Sequence, residues 1–236
     1  MNDTTKTTQY TRLNKRLVEL GLAGSRRDAD IAIGDATVTV NGETARLGMR
    51  VTVNDSIRLG NKTGKDRSNI TIILNKPVGY TCSHKIDNGA KTVFSLLPKN
   101  FSSLKIAGRL DKDSQGLLIL SSDGNLIQKI THPSNSKQKH YLVELDKVLI
   151  DTDSTKLQKG VRLEDGISKF YSVTKLSSKR LRVVLTEGKN RQIRRSFQAL
   201  GYNVVKLERN QIDQVKLGTL TPGKYEFIHP KKVGLI

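Results

Sequence analysis

Thirteen residues constrain this chain more than any others: Gly108-Arg109-Leu110-Asp111-Lys112-Asp113-Ser114-Gln115-Gly116-Leu117-Leu118-Ile119-Leu120. An acid lies between a basic residue and a glycine turn, and a short apolar run follows. That run reads as a buried strand. Asp111 is therefore expected to be a carboxylate held on a rigid scaffold beside an arginine. The surrounding chain carries a formal net charge of +19, with 41 Lys and Arg against 22 Asp and Glu. Such a balance points to a polyanionic partner, because each phosphate contact releases counterions and adds affinity without reading sequence.

At 236 residues, 36% of them hydrophobic, the chain has room for a small domain and a larger one, each with its own core. A single cysteine, Cys82, excludes an internal disulfide framework and any zinc site built from cysteines. No apolar run is long enough to span a bilayer. Residues 1–10, MNDTTKTTQY, lack the apolar core of a signal peptide and read as a disordered polar tail. A cytoplasmic protein without membrane contact, working as a monomer, is the expectation.

Two short helices are predicted over residues 11–33. Leu13, Leu17 and Leu20 recur at helical spacing, and Ser25 followed by Asp28 is a capping-box pattern. Thr37–Val40, the Asn41-Gly42 turn and then Val51, Val53 and Ile57 read as small strands, Asn-Gly being the strongest short hairpin signal. Residues 61–69 are polar, carry glycine and lack apolar period, and are taken as a linker. Strands are then expected at 70–74, 106–110, 117–120, 140–145, 180–186, 204–207 and 225–228. Helices are expected at 124–131, 152–159 and 191–200. The regular strand–helix alternation of parallel sheets is missing, so the class is α+β with a mixed, mostly antiparallel sheet over residues 70–236. Residues 70–236 hold 29 basic and 14 acidic side chains, so most of the charge lies on the larger domain.

In the small domain, Arg12, Lys15, Arg16, Arg26 and Arg27 lie along or next to the two helices. They form either a phosphate platform or a solvated charged face. The pattern RLNKRLVELGLAGSRRDAD…VTVNG…V resembles the S4 domain, a small RNA-binding module, over residues 11–60. The resemblance implies structured RNA as the ligand.

The central motif admits several readings by its residues alone. Asp111, Asp113 and Gly116 partly mimic a calcium loop, but position twelve is Ser122 where a bidentate glutamate is needed. The four histidines, 84, 132, 140 and 229, are too scattered for metal-assisted phosphoryl chemistry, so no metal is expected. A turn aspartate paired with Arg109 remains an ordinary structural alternative. The motif GRLDKDSQGLLIL nevertheless resembles the signature of the RsuA/RluB/RluE/RluF branch of pseudouridine synthases. LNKPVGY at 74–80, KHYLVEL at 139–145 and EGKNRQIRRSFQALGY at 187–202 agree with it in order and spacing.

That resemblance implies an isomerase which breaks the N-glycosidic bond of a uridine, turns the base and rejoins it through carbon 5. Nothing is oxidised and no group is carried, so no cofactor is expected. A carboxylate suits such chemistry, since it can attack an electrophilic carbon and later leave. By resemblance Asp111 has this role, Arg194 is the basic residue paired with it, and Tyr141 stacks on the flipped uracil. Arg109 holds the flipped nucleotide or fills its space. The base must leave its stack to be reached. Lys189, Arg191 and Arg195 are expected to contact phosphates, and Asn75, Lys76 and Pro77 to have structural or RNA-lining roles. The motifs are closer to large-subunit members of the branch, which implies 23S ribosomal RNA or a pre-ribosomal particle as partner. A 16S or tRNA uridine, and a non-catalytic RNA-binding assembly factor, are the alternatives.

Overall fold

The structure, a computed structural model, describes residues 10–64, 70–85, 89–231 and 235. The chain divides into two compact units, Met1–Asn69 and Ile70–Ile236. Of the polar tail expected at 1–10, residues 1–9 lie outside the described residues.

The small unit contains strand β1 (Thr11–Arg12), helices α1 (Leu13–Glu19) and α2 (Arg26–Gly34), and strands β2 (Val38–Val40), β3 (Glu43–Thr44), β4 (Arg50–Val51), β5 (Ile57–Leu59) and β6 (Lys62–Thr63). Ser25 caps α2, its side chain accepting from the Asp28 amide at 3.1 Å. The Asn41-Gly42 turn closes a two-residue hairpin, with Val40 opposite Glu43 and both turn residues at positive φ. Leu13, Leu17, Ala29, Ile33, Val38, Val40, Val51 and Ile57 meet in one core. Two expectations need correction. Val53 is 69% exposed, because the chain turns between β4 and β5 and does not continue the alternation. The proposed linker begins too early: Lys62 and Thr63 pair with Leu59 and Arg58, so Gly60-Asn61 is a hairpin turn. Residues 65–69 of that linker lie outside the described residues.

The large unit is built on a nine-stranded sheet. Its strands are β7 (Thr71–Lys76), β8 (Lys105–Ala107), β9 (Gln115–Ser121), β10 (Lys139–Leu145), β13 (Ser172–Lys175), β14 (Arg180–Leu185), β15 (Val204–Ile212), β16 (Val215–Lys216) and β17 (Tyr225–Phe227). Ahead of β13, a separate hairpin is formed by β11 (Val161–Leu163) and β12 (Gly166–Ser168). Helices α3 (Gly124–Thr131), α4 (Asp151–Lys159) and α5 (Gln192–Ala199) complete the unit. The order β13-β14-β10-β15-β9-β7-β17 is antiparallel at every step except β15–β9, with β8 on β9 and β16 on β15.

β7 and β9 are buried on both faces. Ile72, Leu74, Leu118 and Leu120 enter one core, while Ile73, Leu117 and Ile119 enter another. Alternate side chains of one strand point to opposite faces, and two cores therefore require the uninterrupted apolar run seen in the sequence. The strand expected at 106–110 stops at Ala107, because Gly108 at φ +79° turns the chain out of the sheet. The strand expected at 204–207 runs on to Ile212, held by β10 on one side and β9 on the other. The β11–β12 hairpin escaped sequence reading: its three-residue strands are too short for a periodic signal.

Candidate active site

Asp111 lies in the connection between β8 and β9, half-buried, and this connection is pinned from several sides. Leu110 is buried in the core and its amide approaches the Cys82 sulfur at 3.4 Å. The Ser114 amide donates to the Asp111 carbonyl, and the Gly79 amide donates to the Lys112 carbonyl. Two buried cations hold the ends. Lys76, with no exposed surface, donates to the Ser114 carbonyl at 2.6 Å and the Pro77 carbonyl at 3.0 Å. Arg209, 1% exposed, donates from Nε to the Leu117 carbonyl and from Nη2 to the Gly108 carbonyl. Every one of these bonds ends on the backbone. The Asp111 carboxylate itself accepts no hydrogen bond and forms no ion pair among the described residues.

A cleft of about 840 Å³ opens in front of this loop. Asp111, Arg109, Tyr141, Lys139, Lys189, Arg191 and Arg209 line it, together with Cys82, His132 and Glu187. Seven Lys and Arg side chains face two carboxylates in its wall, an arrangement that concentrates an anionic ligand. Tyr141 projects from β10, 8% exposed, opposite Arg209 in the β15 register. Lys139 is two residues earlier on the same strand and so on the same face. Burial, and then the charge of Arg209, push its ammonium below the usual lysine range. Burial likewise lowers Lys76, against the opposing pull of Cys82, Asp113 and Asp111. Burial raises the Cys82 thiol above its ordinary value, against the backbone bond from Leu110 and the charge of Lys76.

Arg194 departs from expectation. It does not pair with Asp111. Its Nη2 donates to the Asp113 carbonyl at 2.8 Å and its Nη1 to the Val204 carbonyl at 2.7 Å. Its Nε stands 3.1 Å from Asp113 Oδ2, an ion pair whose N–H is not aligned as a hydrogen bond. Arg191 grips the same carboxylate with two hydrogen bonds of 3.0 and 2.7 Å. Arg191, the N-cap residue of α5 in a left-handed backbone conformation, and Arg194 in the first turn both reach Asp113. Hydrogen bonds from Arg191 outweigh partial burial and, with the charge of Arg194, hold the Asp113 carboxyl below the usual aspartate range.

Two further expectations change. Arg195 is bound bidentately by Asp165 at 3.0 and 2.8 Å and is not part of the cleft wall. Arg16 is 7% exposed and paired with Glu19, so it supports α1 and does not present a guanidinium to phosphates. Arg12, Arg26 and Arg27 are exposed, and Lys15 is partly so. Arg109 is exposed at the cleft and does not pair with Asp111. Lys189 lines the cleft and donates to the Ile167 carbonyl. Asn75 is structural, its side-chain amide donating to the Leu220 carbonyl. Sequence reasoning gave Asp113 only a rejected calcium-loop role and did not single out Lys139 or Arg209. Lys139 was legible as the i−2 neighbour of Tyr141, whereas Arg209 carries no local signal. Among the described residues no cluster of three or more His, Cys, Asp or Glu side chains could hold a metal ion.

Comparison with known proteins identifies relatives of both units. Residues 70–199 match the model of the RNA pseudouridylate synthase family, and residues 11–57 match the S4 domain. An uncharacterized RNA pseudouridine synthase of Aquifex aeolicus is 32% identical over 94% of both chains. The dual-specificity RNA pseudouridine synthase RluF of Salmonella typhi is 35% identical over 91% of this chain and 74% of its own. A pseudouridylate synthase crystal structure superposes with a TM-score of 0.69 at 29% identity, covering 95% of this chain and 99% of that one. The loop, the basic cleft and the matches converge: this chain belongs to the RNA pseudouridine synthases and carries an S4 domain ahead of its synthase domain.

Proposed function

We propose that this protein isomerises a uridine of large-subunit ribosomal RNA to pseudouridine, with Asp111 as the nucleophile. One observation carries the reading. Asp111 is an unengaged carboxylate, fixed through its backbone, in a cleft whose wall carries seven Lys and Arg side chains and one other carboxylate, Glu187. An RNA strand drawn in by that wall brings its flipped nucleotide to a carboxylate that need break no bond before it reacts. Tyr141 offers its ring to the extruded base, and stacking of this kind contributes roughly 1–3 kcal/mol toward the cost of unstacking. Arg109, Lys139 and Lys189 serve the flanking phosphates, and Arg12, Lys15, Arg26 and Arg27 give the small unit its RNA contact.

Ribosomal RNA is favoured because relatives carry that role in their names. The ribosomal large subunit pseudouridine synthase B of Xanthomonas campestris is 36% identical over 87% of this chain and 44% of its own. Among the described residues no helix is long and apolar enough to cross a membrane. A monomer meeting pre-ribosomal particles in the cytoplasm completes the proposal.

The test is pseudouridine mapping on ribosomal RNA from cells lacking the protein, complemented with wild type or Asp111→Asn. A single large-subunit position should lose its modification and regain it only with wild type. Restoration by Asp111→Asn would refute the nucleophile, and a lost site in 16S rRNA or a tRNA would refute the substrate.

A further inference from the structure

Asp113 and Asp165 each meet an arginine at the start of α5, Asp113 the N-cap Arg191 and Asp165 the first-turn Arg195. Both carboxylates are 44% exposed, and each receives two guanidinium hydrogen bonds, Asp113 from Arg191 and Asp165 from Arg195. Their locations differ. Asp165 lies in the turn of the β11–β12 hairpin, whereas Asp113 lies two residues from Asp111 in the same short connection. Asp113 also engages Arg194, through its carboxylate at 3.1 Å and its carbonyl at 2.8 Å. Arg194 is anchored in turn to the Val204 carbonyl at the start of β15. A chain of contacts thus runs from the β15 strand end, through α5, to the middle of the Asp111 loop.

We infer that Asp113 is a positioning residue for the reaction, and that the Arg191–Asp113–Arg194 bridge fixes the direction in which Asp111 points into the cleft. This rests on the proposed role of Asp111. The physical reason lies in the ends of the loop. Lys76 and Arg209 secure residues 108, 114 and 117, but among the described residues no bond reaches the Asp111 side chain. The Gly79–Lys112 and Ser114–Asp111 backbone bonds set the local turn, and Asp113 is the side chain of that turn tied to another element. A displacement of about 1 Å at a reacting group costs on the order of 100-fold in rate. Asp113 also engages Arg191 and Arg194, so neither of these two guanidinium groups pairs with the Asp111 carboxylate. Asp113 touches no substrate in this scheme and acts only through the loop.

The experiment compares wild type with Asp113→Asn, Asp113→Glu, Asp165→Asn and Asp111→Asn, using a ribosomal RNA fragment containing the mapped uridine. Single-turnover rate, RNA Kd and Tm are measured for each. Asp113→Asn should slow the single-turnover rate by about 10- to 100-fold with Kd within about twofold of wild type. Asp113→Glu should recover to within about fivefold, since it keeps a carboxylate for the two arginines. Asp165→Asn should keep the rate within about twofold, because it breaks a bidentate pair with an equally exposed carboxylate that does not lead to Asp111. A wild-type rate in Asp113→Asn, an equal loss in Asp165→Asn, or a loss of Asp113→Asn expressed in Kd alone would each overturn the inference. Full activity of Asp111→Asn would instead bring down the nucleophile assignment and the inference with it.

Discussion

The backbone of Gly116 lies against that of Arg209 so closely that a Cβ on the glycine would stand 2.3 Å from the Arg209 carbonyl oxygen. Among the described residues this is the single parallel strand pairing of the large sheet, where Glu208 and Arg209 meet Gln115 and Gly116. Gly116 is also at φ +107°, a conformation L side chains rarely adopt. The glycine therefore lets β15 approach, and the approach puts the Arg209 guanidinium on the two carbonyls that bracket the Asp111 loop. Gly116→Ala should destabilise the large unit by about 3 kcal/mol or more, since backbone strain and a clash with backbone atoms coincide. Urea denaturation of the purified variant checks this, and a loss below about 1 kcal/mol would show that the approach is soft.

Arg209→Met removes a buried cation and leaves the Gly108 and Leu117 carbonyls without that donor. Each stranded carbonyl costs roughly 1–3 kcal/mol. The variant should lose stability, and its activity should fall at temperatures well below its Tm, because the loop end at Gly108 is released. Circular dichroism melts paired with turnover at 15–20 °C below Tm, a window of about that width chosen from usual domain behaviour, separate the two effects.

Tyr141→Phe keeps the ring and should retain RNA affinity, whereas Tyr141→Leu removes it. Loss of roughly 1–3 kcal/mol of stacking corresponds to about 5- to 150-fold in single-turnover rate. Rapid-quench assays on the mapped fragment discriminate the variants. Equal rates for wild type and Tyr141→Leu would remove stacking from the scheme.

Two arginines of the small unit should behave oppositely. Arg27 is exposed, and Arg27→Ala should weaken RNA binding and reduce the slope of log K against log salt by about one. Arg16 is buried beside Glu19, and Arg16→Ala should lower stability with little change in that slope. Salt-dependent binding titrations and thermal melts, run side by side, decide between them.

The Asp113 bridge has a defined pH window. The folded carboxyl titrates below the ordinary value of 3.8, so the unfolded chain binds its proton first as pH falls. The bridge therefore contributes fully above that ordinary value and is lost as pH drops through the lower, folded one. At 44% exposure its worth is at most about 1 kcal/mol. Wild type and Asp113→Asn should differ by a constant amount between about pH 5 and 8 and converge toward pH 3 and below. Denaturation curves across that range test the sign. A gap that widens in acid would contradict it.

Much of the fold was readable because it depends on local order. The capped helix at Ser25, the Asn41-Gly42 hairpin, the doubly buried strand after Gly116 and the placement of Tyr141 on a strand face all follow from neighbours in sequence. The partner of Arg194 was not readable. Arg194 is 81 residues from Asp113 and 83 from Asp111, and no periodicity separates those two destinations. The same holds for Arg209, whose hydrogen bonds reach 92 and 101 residues back along the chain.

By itself, then, the order of residues determined the element types, the two cores of the central strands, the excess of positive charge and the acid presented at a strand-leading turn. These are consequences of short-range sterics, side-chain alternation and composition. Tertiary structure decided which cations hold the loop's backbone, which arginines close on Asp113, and that Asp111 is left unengaged at the cleft. Those outcomes depend on the approach of β15 to β9 and of α5 to the loop, and such approaches are set by packing between segments that never meet in sequence.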